Sequence, residues 1–449
     1  MNKIILENFR CFREKQDVRL APLTLLVGDN STGKTSFLAL IRALCDVAFR
    51  EIVPDFKEEP YDLGSFDEIA HHRGAKGSRA DSFEAGFELA SKNGAFDFVV
   101  TFQQGKTAPV VVKRHLSHEA MWVEEDNSKK DKSILRFSVS SEQPKELKFT
   151  GPRHRVTVDD LEEQDRLAPL GWQFRRLIWA FEENPSKSKS LSKEITQEEA
   201  EKIRDILKNF ERFDSVYSRH RPYASAPVRS KPRRTYDPMR ITPDPEGDHI
   251  PMYLAHLRFR SEGEWRRLKD ALEKFGKDTG LFDEISIRPL GKKETEPFQL
   301  QIRKSGGKLK GPYRNLIDVG YGVNQVLPII TELLRLNVPR MFLMQQPEVH
   351  LHPSAQAALG SLFCKLVGAR RHRFVVETHS DYLLDRVRMD VRDNESKLKP
   401  EDVSILFFER GDLDVKIHSL QLDKEGQVID APASYRKFFM DEVNRRLKL

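Results

Sequence analysis

The stretch Leu23-Thr-Leu-Leu-Val-Gly28-Asp29-Asn30-Ser31-Thr32-Gly33-Lys34-Thr35-Ser36 decides the fold. Leu23–Val27 is a continuous apolar run, as expected of a strand buried on both faces. The next residues, Gly28 to Thr35, match GxxxxGK[ST]. Gly28 and Gly33 let the backbone curl, so that the N–H groups of Asn30, Ser31, Thr32 and their neighbours face phosphate oxygens. Lys34 neutralises β/γ charge, the Thr35 hydroxyl suits Mg²⁺, and Ser36 follows it in the same phosphate-binding stretch. From Lys34 to about Asp46 the apolar residues Phe37, Leu38, Ile41, Leu44 and Cys45 recur at helical spacing, so a helix adds its positive end to the loop. Strand, glycine loop and helix in this order are the context the motif needs. They predict an α/β fold with a site for ATP and Mg²⁺ at a strand–helix junction.

Composition bounds the rest. At 449 residues the chain exceeds one ordinary domain. With 39% hydrophobic and 32% charged residues it reads as globular, neither disordered nor fibrous. An apolar run of about 18 residues is missing, which excludes a transmembrane helix. Charges at Lys3 and Glu7 argue against a secretory signal. Cys11, Cys45 and Cys364 lie far apart, with neither a metal-type pair nor a disulfide framework, so a cytoplasmic location is expected. A net charge of +6, from 75 basic and 69 acidic residues, is compatible with nucleic acid without arguing for it.

Outward from the phosphate loop, residues 1–155 read mainly as strands: Lys3–Leu6, Val18–Leu20, then Phe83–Leu89, Phe96–Gln103, Pro109–Val112 and Leu135–Val139, with Asp126–Lys132 as a hairpin tip. Residues 156–311 read as a mainly helical insertion. Its helices are Asp160–Glu183, Glu194–Phe213 and Met252–Phe275, and strands are expected at Ile285–Pro289 and Phe298–Ile302. Residues 312–449 return to alternation: helix Val323–Leu336, strand Met341–Met344, helix Ser354–Val367, strand Arg373–Val376 and helix Ser380–Val387. Strands Val403–Phe408 and Val415–Leu420 and a helix from Tyr435 complete it. Tyr217–Arg240 carries seven basic residues and one acidic, with Tyr217, Tyr223 and Tyr236 interleaved. That segment either tracks a phosphate backbone, or is a solvated loop or one folded against acidic helices of its own chain. His71-His72 and His350-x-His352 lack companion ligands at metal spacing.

Ile4–Arg13 followed by Leu20–Leu38 resembles the opening of ABC-type ATPases of the RecF, SMC and OLD group. Three later pieces fit in order. Asp318-Val-Gly320-Tyr-Gly322-Val-Asn324-Gln325 is similar to the signature segment, Met341–Pro353 to the Walker B strand and D-loop, and Glu377-Thr378-His379-Ser380 to the switch histidine. The resemblance implies an ABC-type head, split by the insertion, that dimerises around ATP. Gly320, Gly322, Asn324 and Gln325 of one subunit would then face the phosphates held by another.

The departure from the pattern is Gln345-Gln346, where most of the group carries two acids. The first acid organises Mg²⁺ and the second polarises the attacking water. Gln345 is therefore the expected metal-side residue, and Gln346, Glu348 and His379 are the expected catalytic set. Glutamine hydrogen-bonds water but takes no proton from it, so slow hydrolysis is expected. Glu348 either supplies the missing acid or is structural. Only 70 residues follow His379, which leaves no room for a Toprim nuclease of the OLD type. The resemblance is then to short stand-alone OLD-like ATPases of antiphage defence, Septu-type or PARIS-type, which work with a separate effector, typically a nuclease. Competing readings are a RecF-like DNA-repair ATPase that clamps on DNA and, more weakly, a nuclease in its own right. DNA or a phage-encoded product would be the trigger.

Overall fold

The computed structural model describes residues 1–49, 54–74, 78–91, 94–106, 108–119, 121–128, 132–138, 144–150, 198–199, 201–202, 205, 221–238, 241–293, 295–305, 309–335, 339–435, 437 and 445. The expected helix Asp160–Glu183 and Tyr217 lie outside these, as do most of Glu194–Phe213, of the terminal helix and of the tip beyond Ser128.

The chain begins with β1 (Lys3–Glu7), β2 (Gln16–Arg19), β3 (Leu23–Gly28), α1 (Lys34–Phe49) and the short α2 (Phe66–Ile69). A run of strands comes next: β4 (Ser82–Ser91), β5 (Gly94–Gln104), β6 (Pro109–His118), β7 (Met121–Asp126), β8 (Lys132–Ser138) and β9 (Lys145–Thr150). The middle of the chain holds β10 (Tyr223–Ser225), α3 (Ile250–Arg260), α4 (Glu262–Thr279), β11 (Glu284–Pro289), β12 (Phe298–Arg303) and β13 (Tyr313–Asn315). The last third holds α5 (Tyr321–Arg335), β14 (Arg340–Gln345), α6 (Pro353–Gly368), β15 (His372–Glu377), α7 (Asp381–Asp393), β16 (Val403–Arg410), β17 (Val415–Leu422) and β18 (Val428–Ile429).

Among the described residues the strands form three sheets. The central one has the order β10-β14-β15-β3-β16-β17-β18, parallel from β10 to β16 and antiparallel beyond. An antiparallel sheet has the order β2-β1-β4-β5-β6-β7-β8-β9, and β11, β12 and β13 make a small third one.

The apolar run of β3 has its reason in this arrangement. Leu26 joins a core with α1 and the phenylalanines of the antiparallel sheet, whereas Leu23 and Leu25 join a second core with the helices α3 to α7. β14 alternates likewise, Met341 and Leu343 to the first core, Phe342 and Met344 to the second. Both faces of the central sheet are covered, so its strands read as unbroken apolar runs.

The sequence segments are not separate bodies in space. β3, from the first segment, sits between β15 and β16 of the last. The region 156–311 contributes β10 to the central sheet and β11 and β12 to the third, so beyond residue 220 it is mixed rather than mainly helical. The expected helix Met252–Phe275 is two helices. The chain breaks at Ser261, whose φ of −145° leaves the helical region. α4 then buries Trp265, Leu268, Leu272 and Phe275 on one face and stops at Gly280 in the left-handed region, φ 69°.

Candidate functional site

The carboxyl ends of β14, β3 and β15 converge where an open parallel sheet places its ligand site. Gly28 ends β3 with φ 137°, and a Cβ there would lie 2.6 Å from the Phe408 carbonyl oxygen of β16. Gly33 has φ 86°, and its Cβ would meet Cys11 Sγ at 2.4 Å. Both positions therefore need glycine on conformational and on spatial grounds. The loop between them is tied to itself and to its neighbours. Thr32 Oγ1 donates to the Asp29 carbonyl at 2.8 Å, and Arg410 donates to the Ser31 carbonyl. Asn30 and Ser31 are exposed, Thr32 and Ser36 buried. α1 starts at Lys34, so the orphan N–H groups of its first turn face the loop.

The buried Lys34 ammonium donates to the carbonyls of Gly28 at 3.0 Å and Asp29 at 2.6 Å. Burial lowers its pKa, and Glu377 and Asp29 pull it back. Thr35 Oγ1 donates to Glu377 Oε2 at 2.9 Å. Burial raises the Glu377 pKa, opposed by this hydroxyl and by Lys34. Glu377 ends β15 and is the register partner of Gln345, which ends β14. By alternation along their strands both side chains lie on the face covered by α1. Gln345 is 6% exposed, and its Oε1 has no hydrogen-bond partner among the described residues.

The turn after β14 uses Gln346 in the left-handed region, φ 41°, its N–H donating to the Glu377 carbonyl at 2.8 Å. Glu348 is buried in this turn. Its Oε1 accepts from Thr378 Oγ1 at 2.7 Å and from the His379 N–H at 2.8 Å. Of the two roles open in the sequence, Oε1 matches an anchor that fixes the His379 segment to the turn, while Oε2, also buried, has no hydrogen-bond partner among the described residues. Burial raises the Glu348 pKa, opposed by those two donors. His379 itself is exposed. Burial lowers its pKa, as does Lys34, with Asp29 opposing.

The signature-like segment is divided. Gly320 is exposed with open space where a Cβ would sit, and Gly322 packs on the His350 carbonyl, its Cβ position 3.0 Å away. Asn324 and Gln325 turn inward. Asn324 Nδ2 donates to the Ser230 carbonyl at 3.0 Å, and Gln325 Oε1 accepts from the Arg229 N–H at 3.2 Å. Their side chains are engaged by their own chain rather than offered to a nucleotide.

The basic segment is likewise folded in. Tyr223 and Tyr236 are core residues, Arg221 pairs with Asp46 and Glu58, and Arg229 is buried. Arg233 and Arg234 pair with Asp248 and Asp318. The described part of this segment thus has no aromatic platform for bases. The histidines expected to be free of metal have local work: His352 caps α6, accepting from the Ser354 N–H, and His71 Nδ1 contacts the Arg10 carbonyl at 2.9 Å. Among the described residues no three His, Cys, Asp or Glu side chains cluster as metal ligands.

Glu377, which meets Thr35 and pairs in register with Gln345, has no role assigned from the sequence. Its signal was a carboxylate closing a buried strand, but only the strand register shows it beside Gln345 and Thr35. Cys11, within the Ile4–Arg13 segment of the resemblance but without a role there, and Arg410, outside any motif, brace the loop.

Residues 23–385 match the family described as "AAA domain, putative AbiEii toxin, Type IV TA system". The chain belongs to this family. It is a member of an AAA-domain family, and its fold is mixed α/β. Among solved structures it is similar to an Smc head bound to the C-winged helix domain of ScpA, at 11% identity and TM-score 0.42, covering 94% of this chain and 98% of that one. A Pyrococcus furiosus Smc head with an extended coiled coil, bound to the C-terminal domain of ScpA, gives 10% identity, TM-score 0.41 and 99% of both chains. The SMC head domain of Thermotoga maritima gives 10%, TM-score 0.34, and 93% and 98%. Comparison with curated proteins gives no match. Among the described residues no helix is long and apolar enough to cross a membrane.

The fit to Mg²⁺-nucleotide rests on the curled loop, its two obligatory glycines, the buried Lys34 ammonium and the Thr35 hydroxyl. Lys34 and the loop N–H groups would hold the β/γ phosphates. Bound Mg²⁺ supplies charge neutralisation there.

Proposed function

We propose that this AAA-family member is an ATP-gated switch rather than a motor. Two copies close around Mg²⁺-ATP, with Gly320 and Gly322 of one copy presented to the phosphate loop of the other, and the closed dimer controls a separate effector. A nuclease working in antiphage defence is the effector class that fits best. The matched family is described as a putative toxin of a toxin–antitoxin system.

The observation that carries the reading is the state of the β14 turn. Gln345 and Gln346 hold no proton-accepting group, and the carboxylate two residues on has one oxygen, Oε1, engaged by Thr378 and His379. General-base assistance contributes about 10²–10⁴ in rate, so its loss leaves binding intact and turnover well below roughly 1 s⁻¹. ATP held at both sites then stabilises the closed state by its differential affinity.

The test is sizing and turnover of the wild type and Gln346→Glu, with capture of the natively expressed operon products. Slow hydrolysis with an ATP-dependent dimer, and faster hydrolysis with loss of that dimer in Gln346→Glu, is the expected result. Rapid wild-type turnover without dimerisation would refute it.

A further inference from the structure

We infer that Glu377 is the acid of the divalent-cation site, taking over across the sheet the charge that Gln345 lacks. The inference rests on the proposed ATP binding and deepens it. Three observations meet at one place. The Thr35 hydroxyl, which the phosphate-loop motif assigns to the cation, donates to Glu377 Oε2 at 2.9 Å. Glu377 and Gln345 are register partners at the ends of adjacent parallel strands, on the face covered by α1. Gln345 Oε1, buried, is without a hydrogen-bond partner among the described residues.

Together these give a hydroxyl, a carboxylate and an amide oxygen. That is an all-oxygen set suited to a hard cation such as Mg²⁺ and poor for a soft one. The number of carboxylates equals that of a site with an acid at position 345; the charge has moved one strand over. The hydrogen bond to Thr35 also explains why the exchange works. A hydroxyl that gives its proton to Glu377 keeps its lone pairs for the cation. Lys34 and Glu377 act on each other electrostatically across the loop. Glu377 is not thereby the missing general base, since its carboxylate is bound on the Thr35 side of the loop.

The experiment titrates the full chain with a fluorescent ATP analogue in EDTA and in Mg²⁺, and measures Mn²⁺ binding by electron paramagnetic resonance with nucleotide present. Wild type is expected to gain affinity with Mg²⁺. Glu377→Gln should lose that gain, tenfold or more, and the Mn²⁺ signal, while keeping its EDTA affinity and thermal melt. The double variant Gln345→Glu/Glu377→Gln, which returns the charge to β14, should recover cation dependence. A Glu377→Gln protein that keeps full Mg²⁺ enhancement and Mn²⁺ binding overturns the assignment. A wild type that binds no nucleotide in either buffer overturns the ATP reading itself, and this one with it.

Discussion

Glu348 separates an anchor from a base. Its Oε1 takes two donors, Thr378 Oγ1 at 2.7 Å and the His379 N–H at 2.8 Å, in a position 6% exposed. Hydrogen bonds to a charged group contribute about 1.5–3 kcal/mol each, and a buried donor left unmet costs about 1–3 kcal/mol. Glu348→Ala strips both and leaves a cavity, so it should lower unfolding free energy by about 3–5 kcal/mol. Glu348→Gln keeps an acceptor for the two donors, loses charge assistance and sets an amide group where the buried Oε2 has no partner among the described residues. It also escapes the desolvation that raises the carboxyl's pKa. About 1 kcal/mol of loss is expected there, with ATP turnover within roughly threefold of wild type. Denaturant titration gives the stabilities, a phosphate-release assay the rates, and amide exchange at His379 whether the segment has come loose. A folded, fully stable Glu348→Gln protein whose turnover falls by about 10²–10⁴ would refute the anchor reading, because that is the signature of a lost general base.

Lys34→Ala removes the buried ammonium of the loop and should abolish ATP binding, a loss of about 2–5 kcal/mol; unchanged affinity by calorimetry contradicts it. Gly33→Ala places a methyl 2.4 Å from Cys11 Sγ at a φ of 86°, so the loop should distort at a cost of about 1–3 kcal/mol. A Cys11→Ala background, which relieves the clash but not the φ strain, should restore only part of nucleotide affinity. Glu332, buried in α5, accepts from His249 at 2.9 Å and from Arg335 at 2.8 Å. Burial alone would raise its pKa, but these partners outweigh it and leave it lowered. Its stabilising contribution is therefore full above the ordinary glutamate value and fades as pH falls through the lower folded value. Glu332→Gln should flatten that acid limb in denaturation at stepped pH, and an unaltered limb counts against the pairing.

The phosphate loop and the parallel strands were legible because their signals are local: β3, β14 and β15 are apolar on both faces, and Gly28 and Gly33 have no substitutes. β7 escaped because Met121–Asp126 ends in three acids, Glu124, Glu125 and Asp126, which interrupt the apolar alternation of a strand. Three residues among prolines gave no period for β10, although they close the edge of the central sheet beside β14. The break at Ser261 carries only the short helix-start pattern Ser261-Glu262-Gly263-Glu264, set inside a longer helical period. Asn324 and Gln325 looked like outward groups because they come after a glycine-rich helix start, and only packing shows residues 229–230 waiting for them. Glu377 is the deepest case. Residues 345 and 377 are 32 apart in sequence, and their adjacency is a property of strand register that no local pattern carries.

That adjacency also reconciles two features that conflict in the sequence. A chain without acids at 345 and 346 should bind Mg²⁺-nucleotide poorly and hydrolyse it slowly, and a protein failing at both has little use for an intact phosphate loop. With the cation-side charge supplied from β15, only the proton-accepting position stays neutral. Binding and turnover then depend on different residues on different strands. Substitutions at the two should act in opposite directions: Glu377→Gln weakens cation-dependent binding, and Gln346→Glu speeds hydrolysis. If the roles are independent, the double variant should show both single effects. Turnover in Gln346→Glu that survives Glu377→Gln at saturating nucleotide would mark 346 as the chemical position. Turnover that collapses with it would mean that the cation held by Glu377 takes part in the chemical step as well as in binding.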